Sequence, residues 1–180
     1  MLYMFLADGF EEIEALATLD IIRRANIEIA TVGVTGENVT GAHNISVKAD
    51  VNIDDINFDD LTGVILPGGL PGTTHLDNSS KVCELTVNAN DRGLLVSAIC
   101  AAPSVLGRLG LLKGKKATCY PGFEDKLSGA ECTGEYVVRD GNIITGRGAG
   151  AAIDFGLKIV EYFKGDQISN ELRKTMQCAH

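Results

Sequence analysis

Leu2-Tyr3-Met4-Phe5-Leu6-Ala7 is apolar at every position. That pattern predicts a strand covered on both faces of a sheet. Asp8-Gly9 turns the chain, and the period then changes. Ile13, Leu16, Ala17 and Ile21 recur at helical spacing and predict a helix over 11–25. Residues 27–33 predict a second strand. Val39 to Val51 alternates weakly around Gly41, as a hairpin or a short excursion from the main sheet would. Gly63-Val64-Ile65-Leu66 predicts a further strand, which runs into Pro67-Gly68-Gly69-Leu70-Pro71-Gly72. A helix follows over 79–92, with Ser79 or Ser80 near its cap. Residues 94–99 form another buried strand, which passes within a few residues into a helix over 102–109. Lys116 to Tyr120 predicts a strand stopped by Pro121-Gly122. Tyr136-Val137-Val138 and Asn142-Ile143-Ile144-Thr145 flank the hairpin signal Arg139-Asp140-Gly141. A helix over 151–163, striped by Ile153, Leu157 and Val160, and a closing helix over 168–176 complete the chain.

Strands alternating with helices predict an α/β fold with a mostly parallel sheet covered on both faces and right-handed crossovers. We expect a single domain over residues 1–180. Ligands of such folds bind beyond the carboxyl ends of the strands. Ala7-Asp8, Pro67–Gly69, Cys100 and Tyr120 are all expected at such ends.

Composition narrows the function. The chain has 180 residues, 45% hydrophobic and 22% charged, with a net charge of −8. Without a basic cluster, that balance argues against nucleic acid and anionic membrane as partners. The longest apolar stretch, Leu94 to Gly107, is too short to span a bilayer and contains Pro103. Leu2 to Ala7 is too short for a signal-peptide core. The five cysteines (83, 100, 119, 132, 178) include no C-x-x-C and no histidine pairing at metal-ligand spacing. The expectations are a reducing, cytoplasmic compartment, no metal and no cofactor.

Cys100 carries the chemistry. A strand that becomes a helix within two or three residues turns sharply and pushes the turn residue into the helix mouth. Backbone N–H groups and the helix dipole there favour an anion, so Cys100 is expected to ionise more readily than a free thiol. The competing reading is a small apolar residue packed in a core. Pro103 fits the first turn of the helix. Gly68 and Gly69 allow close backbone approach and could line an anion site. Glu11 and Glu12 read as carboxylates favoured by a helix N-terminus. Glu14 lies on the flank of the apolar stripe, where a carboxylate is partly desolvated. His43 reads as a surface-loop residue, His75 as solvent-facing, and Asp54, Asp55, Asp59 and Asp60 as a solvated face. Gly146-Arg147-Gly148-Ala149-Gly150 lacks the Gly-Lys-Ser/Thr of a nucleotide loop.

Ala98-Ile99-Cys100-Ala101-Ala102-Pro103 resembles the cysteine elbow of the ThiJ/PfpI superfamily. Leu66-Pro67-Gly68-Gly69, Asp8-Gly9-Phe10-Glu11-Glu12-Ile13-Glu14 and Gly148-Ala149-Gly150-Ala151-Ala152-Ile153-Asp154-Phe155 fit it too, in the right order. The nearest branch is that of Parkinson disease protein 7 and its bacterial relatives. The resemblance implies a flavodoxin-like (class I glutamine amidotransferase-like) three-layer sandwich, a homodimer, and a cysteine that oxidises readily to sulfinate. It also implies cofactor-free glyoxalase or protein deglycase activity on small reactive carbonyls or glycated protein side chains. By position, Cys100 is the nucleophile and Glu14 the protonated carboxyl bonded to it. Gly69 and Ala101 offer N–H groups to an oxyanion, and Gly68, Tyr120 and Arg147 border the pocket. One departure stands out: relatives often carry histidine where this chain has Tyr120.

That departure sorts the alternatives. A cysteine peptidase needs a base to shuttle protons, and Ala101 stands where the peptidase branch has histidine. An amidotransferase needs a downstream His-x-Glu, which is absent. An α/β-hydrolase elbow needs glycines where Ala98 and Ala102 stand. Two readings remain. One is a glyoxalase or deglycase using Cys100 and Glu14. The other is a redox sensor or chaperone with Cys100 as its oxidation switch.

Overall fold

The computed structural model describes residues 1–178; His180 lies outside them. In chain order the strands are β1 (Leu2–Leu6), β2 (Ile29–Gly33), β3 (Asn38–Thr40), β4 (Ser46–Lys48), β5 (Val51–Asn52), β6 (Gly63–Leu66), β7 (Leu95–Ile99), β8 (Lys116–Ala117), β9 (Glu131–Cys132), β10 (Val137–Asp140) and β11 (Ile143–Gly146). The helices are α1 (Glu12–Arg24), α2 (Gly72–Asn78), α3 (Ser80–Asp91), α4 (Pro103–Arg108), α5 (Ala152–Lys164) and α6 (Asp166–Thr175).

Seven strands form the main sheet in the order β10-β11-β7-β6-β1-β2-β5. Every neighbouring pair is parallel except β10–β11, the predicted hairpin, which leaves β10 as an antiparallel edge. β1, β6 and β7 lie side by side at the centre and are buried along their whole length, with Ser97, the polar residue of β7, donating to the Val64 carbonyl at 2.9 Å.

The alternation of side chains along β1 feeds two cores. Tyr3, Phe5 and Ala7 pack against Leu76 of α2, Val82 and Leu85 of α3, and Val105 and Leu106 of α4. Leu2, Met4 and Leu6 face Ala15, Leu19 and Ile22 of α1 and Phe155 and Ile159 of α5. The result is the expected three-layer α/β sandwich. β3 and β4 form a separate antiparallel hairpin, matching the weak alternation over 39–51.

Several expectations need correction. The buried face of α1 is Glu12, Glu14, Ala15, Thr18, Leu19, Ile21 and Ile22, whereas Ile13 is 57% exposed. Ile153 of α5 is also exposed. Apolar spacing located these helices, but in α1 the polar Glu12, Glu14 and Thr18 take buried positions, and in α5 Ala152, Phe155, Gly156 and Ile159 form the buried face instead of Ile153. Lys116 to Tyr120 is a strand only at 116–117, where β8 pairs with β9 away from the main sheet. Residues 72–78 form a helix that Leu76, its one large buried apolar residue, could not announce. Among the described residues, no helix is long and apolar enough to cross a membrane.

Candidate active site

Cys100 directly follows β7 and stands three residues before the first residue of α4, which has proline at its start. The turn costs it a left-handed backbone, with φ of 65°. L-residues avoid that region, so the surrounding structure holds the strain. Two clamps do so. The Cys100 N–H donates to the Gly146 carbonyl at 2.9 Å, and the Tyr120 N–H donates to the Cys100 carbonyl at 2.8 Å.

Glu14 reaches the same point from α1. It is 1% exposed. Its Oε2 accepts the Gly68 N–H at 2.8 Å, and the carboxyl lies close enough to Cys100 for the two groups to shift each other's titration. Its other oxygen, Oε1, is buried with no partner among the described residues. Gly68 must be glycine for this meeting to occur. A Cβ there would lie 2.6 Å from both the Cys100 Cβ and Glu14 Oε2, and 2.9 Å from the Ile99 carbonyl oxygen. Gly69 adopts φ of 88°, and its backbone N–H and that of Ala101 face the Cys100 sulfur and favour its anion. The structure thus gathers Cys100, Glu14, Gly68, Gly69 and Ala101 in one cradle.

Burial holds the Glu14 carboxyl up at about 7, against the opposing pull of its Cys100 and Gly68 hydrogen bonds. Burial, the charge of Glu14 and its hydrogen bond push the Cys100 thiol up to about 12, against the N–H groups of Ala101 and Gly69. The helix mouth therefore does not acidify Cys100 as expected. The thiol is desolvated and sits beside a carboxylate, and both effects outweigh a six-residue helix. Cys119 is likewise pushed up to about 12, chiefly by burial. What sets Cys100 apart is its proton partner. One proton leaves the Cys100–Glu14 pair near 7 and the last near 12, so between these limits the two groups share a single proton.

Tyr120 and Arg147 stand one step out. With Pro121, Tyr136, Gly148 and Ala149 they line a cavity of about 460 Å³. Cys100 is tied to its Tyr120 wall through the carbonyl clamp but does not itself line it. Tyr120 is not at a strand end of the main sheet; it is half exposed and held by that hydrogen bond.

Two residues had been read too simply. Glu12 is buried and accepts the His43 N–H at 2.7 Å and the His43 ring Nδ1–H at 2.8 Å. These bonds, with others from the backbone, lower its pKa despite burial. It fastens the loop over 41–45 to α1 rather than serving only the helix dipole, and His43, exposed on that loop as expected, is its partner. His75 is half-buried in α2 and donates through Nδ1 to the Asp8 carbonyl at 2.9 Å.

The description DJ-1/PfpI family matches residues 1–162. The Drosophila melanogaster protein dj-1beta is 36% identical over 180 residues, covering 98% of this chain and 96% of its own. The Caenorhabditis elegans protein named glutathione-independent glyoxalase DJR-1.2 is 33% identical over 171 residues, covering 94% of this chain and 91% of its own. The crystal structure of Drosophila melanogaster DJ-1beta superposes with a TM-score of 0.93, covering 99% of this chain and 98% of that one. Oxidized Toxoplasma gondii DJ-1 reaches 0.95 at 30% identity, with coverage of 99% and 98%. Sequence and fold agree along the whole length, and this chain belongs to the DJ-1/PfpI family.

Proposed function

We propose that this protein is a cofactor-free glyoxalase, and by extension a protein deglycase, acting on small reactive carbonyls such as methylglyoxal. The observation that carries the reading is the buried Glu14 carboxyl set against Cys100 across Gly68, and we read the two groups as sharing one proton beside the Gly69 and Ala101 N–H groups. With that proton on Glu14, the thiolate adds to the aldehyde carbon, and Glu14 gives its proton to the oxygen, forming a hemithioacetal. Glu14 is now a carboxylate. It removes the proton from the former aldehyde carbon to form an enediolate, the hydroxyl proton on that carbon's oxygen passes to the neighbouring oxygen, and Glu14 returns its proton to the neighbouring carbon, leaving a lactoyl thioester on Cys100. The Gly69 and Ala101 N–H groups that held the thiolate are placed to stabilise oxyanion character. Water hydrolyses the thioester to lactate and restores the shared proton. The net change is methylglyoxal plus water to lactate and a proton, an internal redox exchange that needs no external oxidant or reductant.

The C. elegans relative's name supports the glyoxalase part. Direct lactate measurement tests it: purified protein without glutathione or metal forms many lactates per Cys100, and Cys100→Ser forms none. Less than one lactate per Cys100, with the thiol still reduced, would overturn it.

A second reading is a redox sensor or chaperone. Its support is that a sulfinate at Cys100 would accept hydrogen bonds from the same Gly69 and Ala101 N–H groups and from protonated Glu14. We further propose that the chain works as a cytoplasmic homodimer. Ile13 of α1 and Ile45 of the loop before β4 are 57% and 51% exposed, and the Ile45 N–H lies 3.5 Å from Glu12, the neighbour of Ile13, so two exposed isoleucines lie on this side of α1.

A further inference from the structure

A second cavity, of about 540 Å³, opens between α2, α4 and the turn at 123–126. Its walls include Thr73, Asp77, Ser104, Arg108, Phe123 and Lys126. In a chain of net charge −8, two cations here face one carboxylate. Asp77 is engaged: it accepts Arg108 Nε–H at 2.6 Å. Arg108 Nη2 donates to the Asp77 carbonyl and to the Cys83 sulfur, which leaves Nη1 uncommitted. Lys126 lies over the Phe123 ring, 4.3 Å from its centre, and pairs with no carboxylate among the described residues.

The second observation is a buried orphan. Thr73 is 4% exposed, and its hydroxyl has no hydrogen-bond partner among the described residues. A buried hydroxyl left unpaired is costly, so such groups are uncommon. One χ1 rotation separates its rotamers, which gives it a means of meeting a ligand in the cavity that Thr73 lines. Ser104 adds a second hydroxyl, now donating to the Ala101 carbonyl at 2.7 Å.

From these features we propose that this cavity binds a small hydroxylated organic anion, a carboxylate or phosphate ester of a polyol. Arg108 and Lys126 hold the charged group, and Thr73 and Ser104 meet the hydroxyls. The cavity is distinct from the one beside Tyr120. It is nevertheless tied to the Cys100 cradle at two points: Thr73 N–H donates to the Gly69 carbonyl at 2.9 Å, and Ser104 Oγ–H to that of Ala101. Occupancy is therefore felt at the two residues whose N–H groups face the sulfur.

The test is a nitrogen-15 NMR titration of the wild-type protein with glycerol 3-phosphate, lactate, inorganic phosphate and glycerol. None carries an aldehyde, so the outcome does not depend on Cys100 chemistry. Saturable shifts at Thr73, Ser104 and Arg108 with glycerol 3-phosphate or lactate are expected, and the tighter of the two identifies the charged group. Arg108→Gln should weaken binding by about tenfold or more, the worth of a charged hydrogen bond. Lys126→Gln, at an exposed position that folding does not depend on, should weaken it several-fold. Thr73→Val supplies the sharpest outcome: it should raise the melting temperature of the free protein yet weaken binding, because it removes a hydroxyl paired only with ligand. No saturable binding, equal binding of glycerol or inorganic phosphate, unchanged affinity in both charge variants, or a lower melting temperature for Thr73→Val would overturn the proposal.

Discussion

Glu14→Gln isolates the shared proton. In the wild type, Cys100 is held up at about 12 by burial and then by the charge and hydrogen bond of Glu14. Glutamine fills the same space without the charge, and its amide donates to sulfur. Two unit charges about 4 Å apart interact by about 4 kcal/mol at an effective dielectric of about 20. That is worth about three pH units. Burial, the larger cause, persists in Glu14→Gln, so the Cys100 titration should fall by at most about that much and stay above the range of an ordinary thiol. The assay is the pH dependence of alkylation at Cys100, read by peptide mass spectrometry, with Cys100→Ser as the blank. The variant should alkylate faster than wild type at mildly alkaline pH and still form no lactate, because the acid–base group is gone. Wild-type lactate formation should rise as pH passes about 7, where the singly protonated pair first forms.

The same variant tests the Glu14 value through stability. A carboxyl raised from 4.5 to about 7 favours the folded state in its protonated form. That contribution is complete below the unfolded value of 4.5 and is lost as pH rises to about 7. The loss is about 3 kcal/mol for a fully buried group. Glu14→Gln cannot ionise, so denaturant unfolding should find it more stable than wild type above about 7, with the gap closing near 4.5. A gap that does not vary with pH, or an alkylation profile unmoved by the substitution, would refute the shared proton.

Two further outcomes follow from the cradle. Gly68→Ala places a methyl group 2.6 Å from the Cys100 Cβ and Glu14 Oε2, so lactate formation should be lost. Thermal melting should register about 1–3 kcal/mol of overpacking, and full activity in a folded variant would mean that the pair need not touch. Tyr120→His puts an imidazole at a half-exposed position bonded through its N–H to the Cys100 carbonyl. General acid–base help is worth ~10²–10⁴-fold when well placed, so kcat should rise by about tenfold or more; no gain would mean that the ring does not reach the reacting atoms.

The legible parts of the fold were those where one local signal sufficed. The apolar runs at 2–6, 63–66 and 95–99, the last broken only by the buried Ser97, are the three adjacent central strands. Ser79 caps α3 by accepting the Val82 N–H, as its position before the helix suggested. The misreadings have the opposite character. Glu12 looks like any helix-start carboxylate until His43, distant in sequence, is folded onto it. Ile13 looks like core until Glu12 and Glu14 take the buried positions on either side. Thr73 gives no signal in a sequence at all, since an unpaired hydroxyl exists only once its surroundings are fixed.

Cys100 and Glu14 were legible as residues but not as a titrating pair. The sequence placed the thiol at a helix mouth, and donors do face the sulfur there, from Gly69 and Ala101. Two N–H dipoles cannot offset both burial and a neighbouring carboxylate, so the thiol alone is held up at about 12. Reactivity then depends on where one proton resides. With the proton on sulfur, the site is an inert thiol beside a carboxylate. With it on Glu14, the carboxylate charge that opposed thiolate formation is gone, and the N–H donors face a thiolate. Moving the proton across a hydrogen bond therefore exchanges a resting state for a reactive one without solvent taking part. A cysteine controlled this way needs no imidazole to ionise it, so Tyr120 beside Cys100 is compatible with the proposed chemistry.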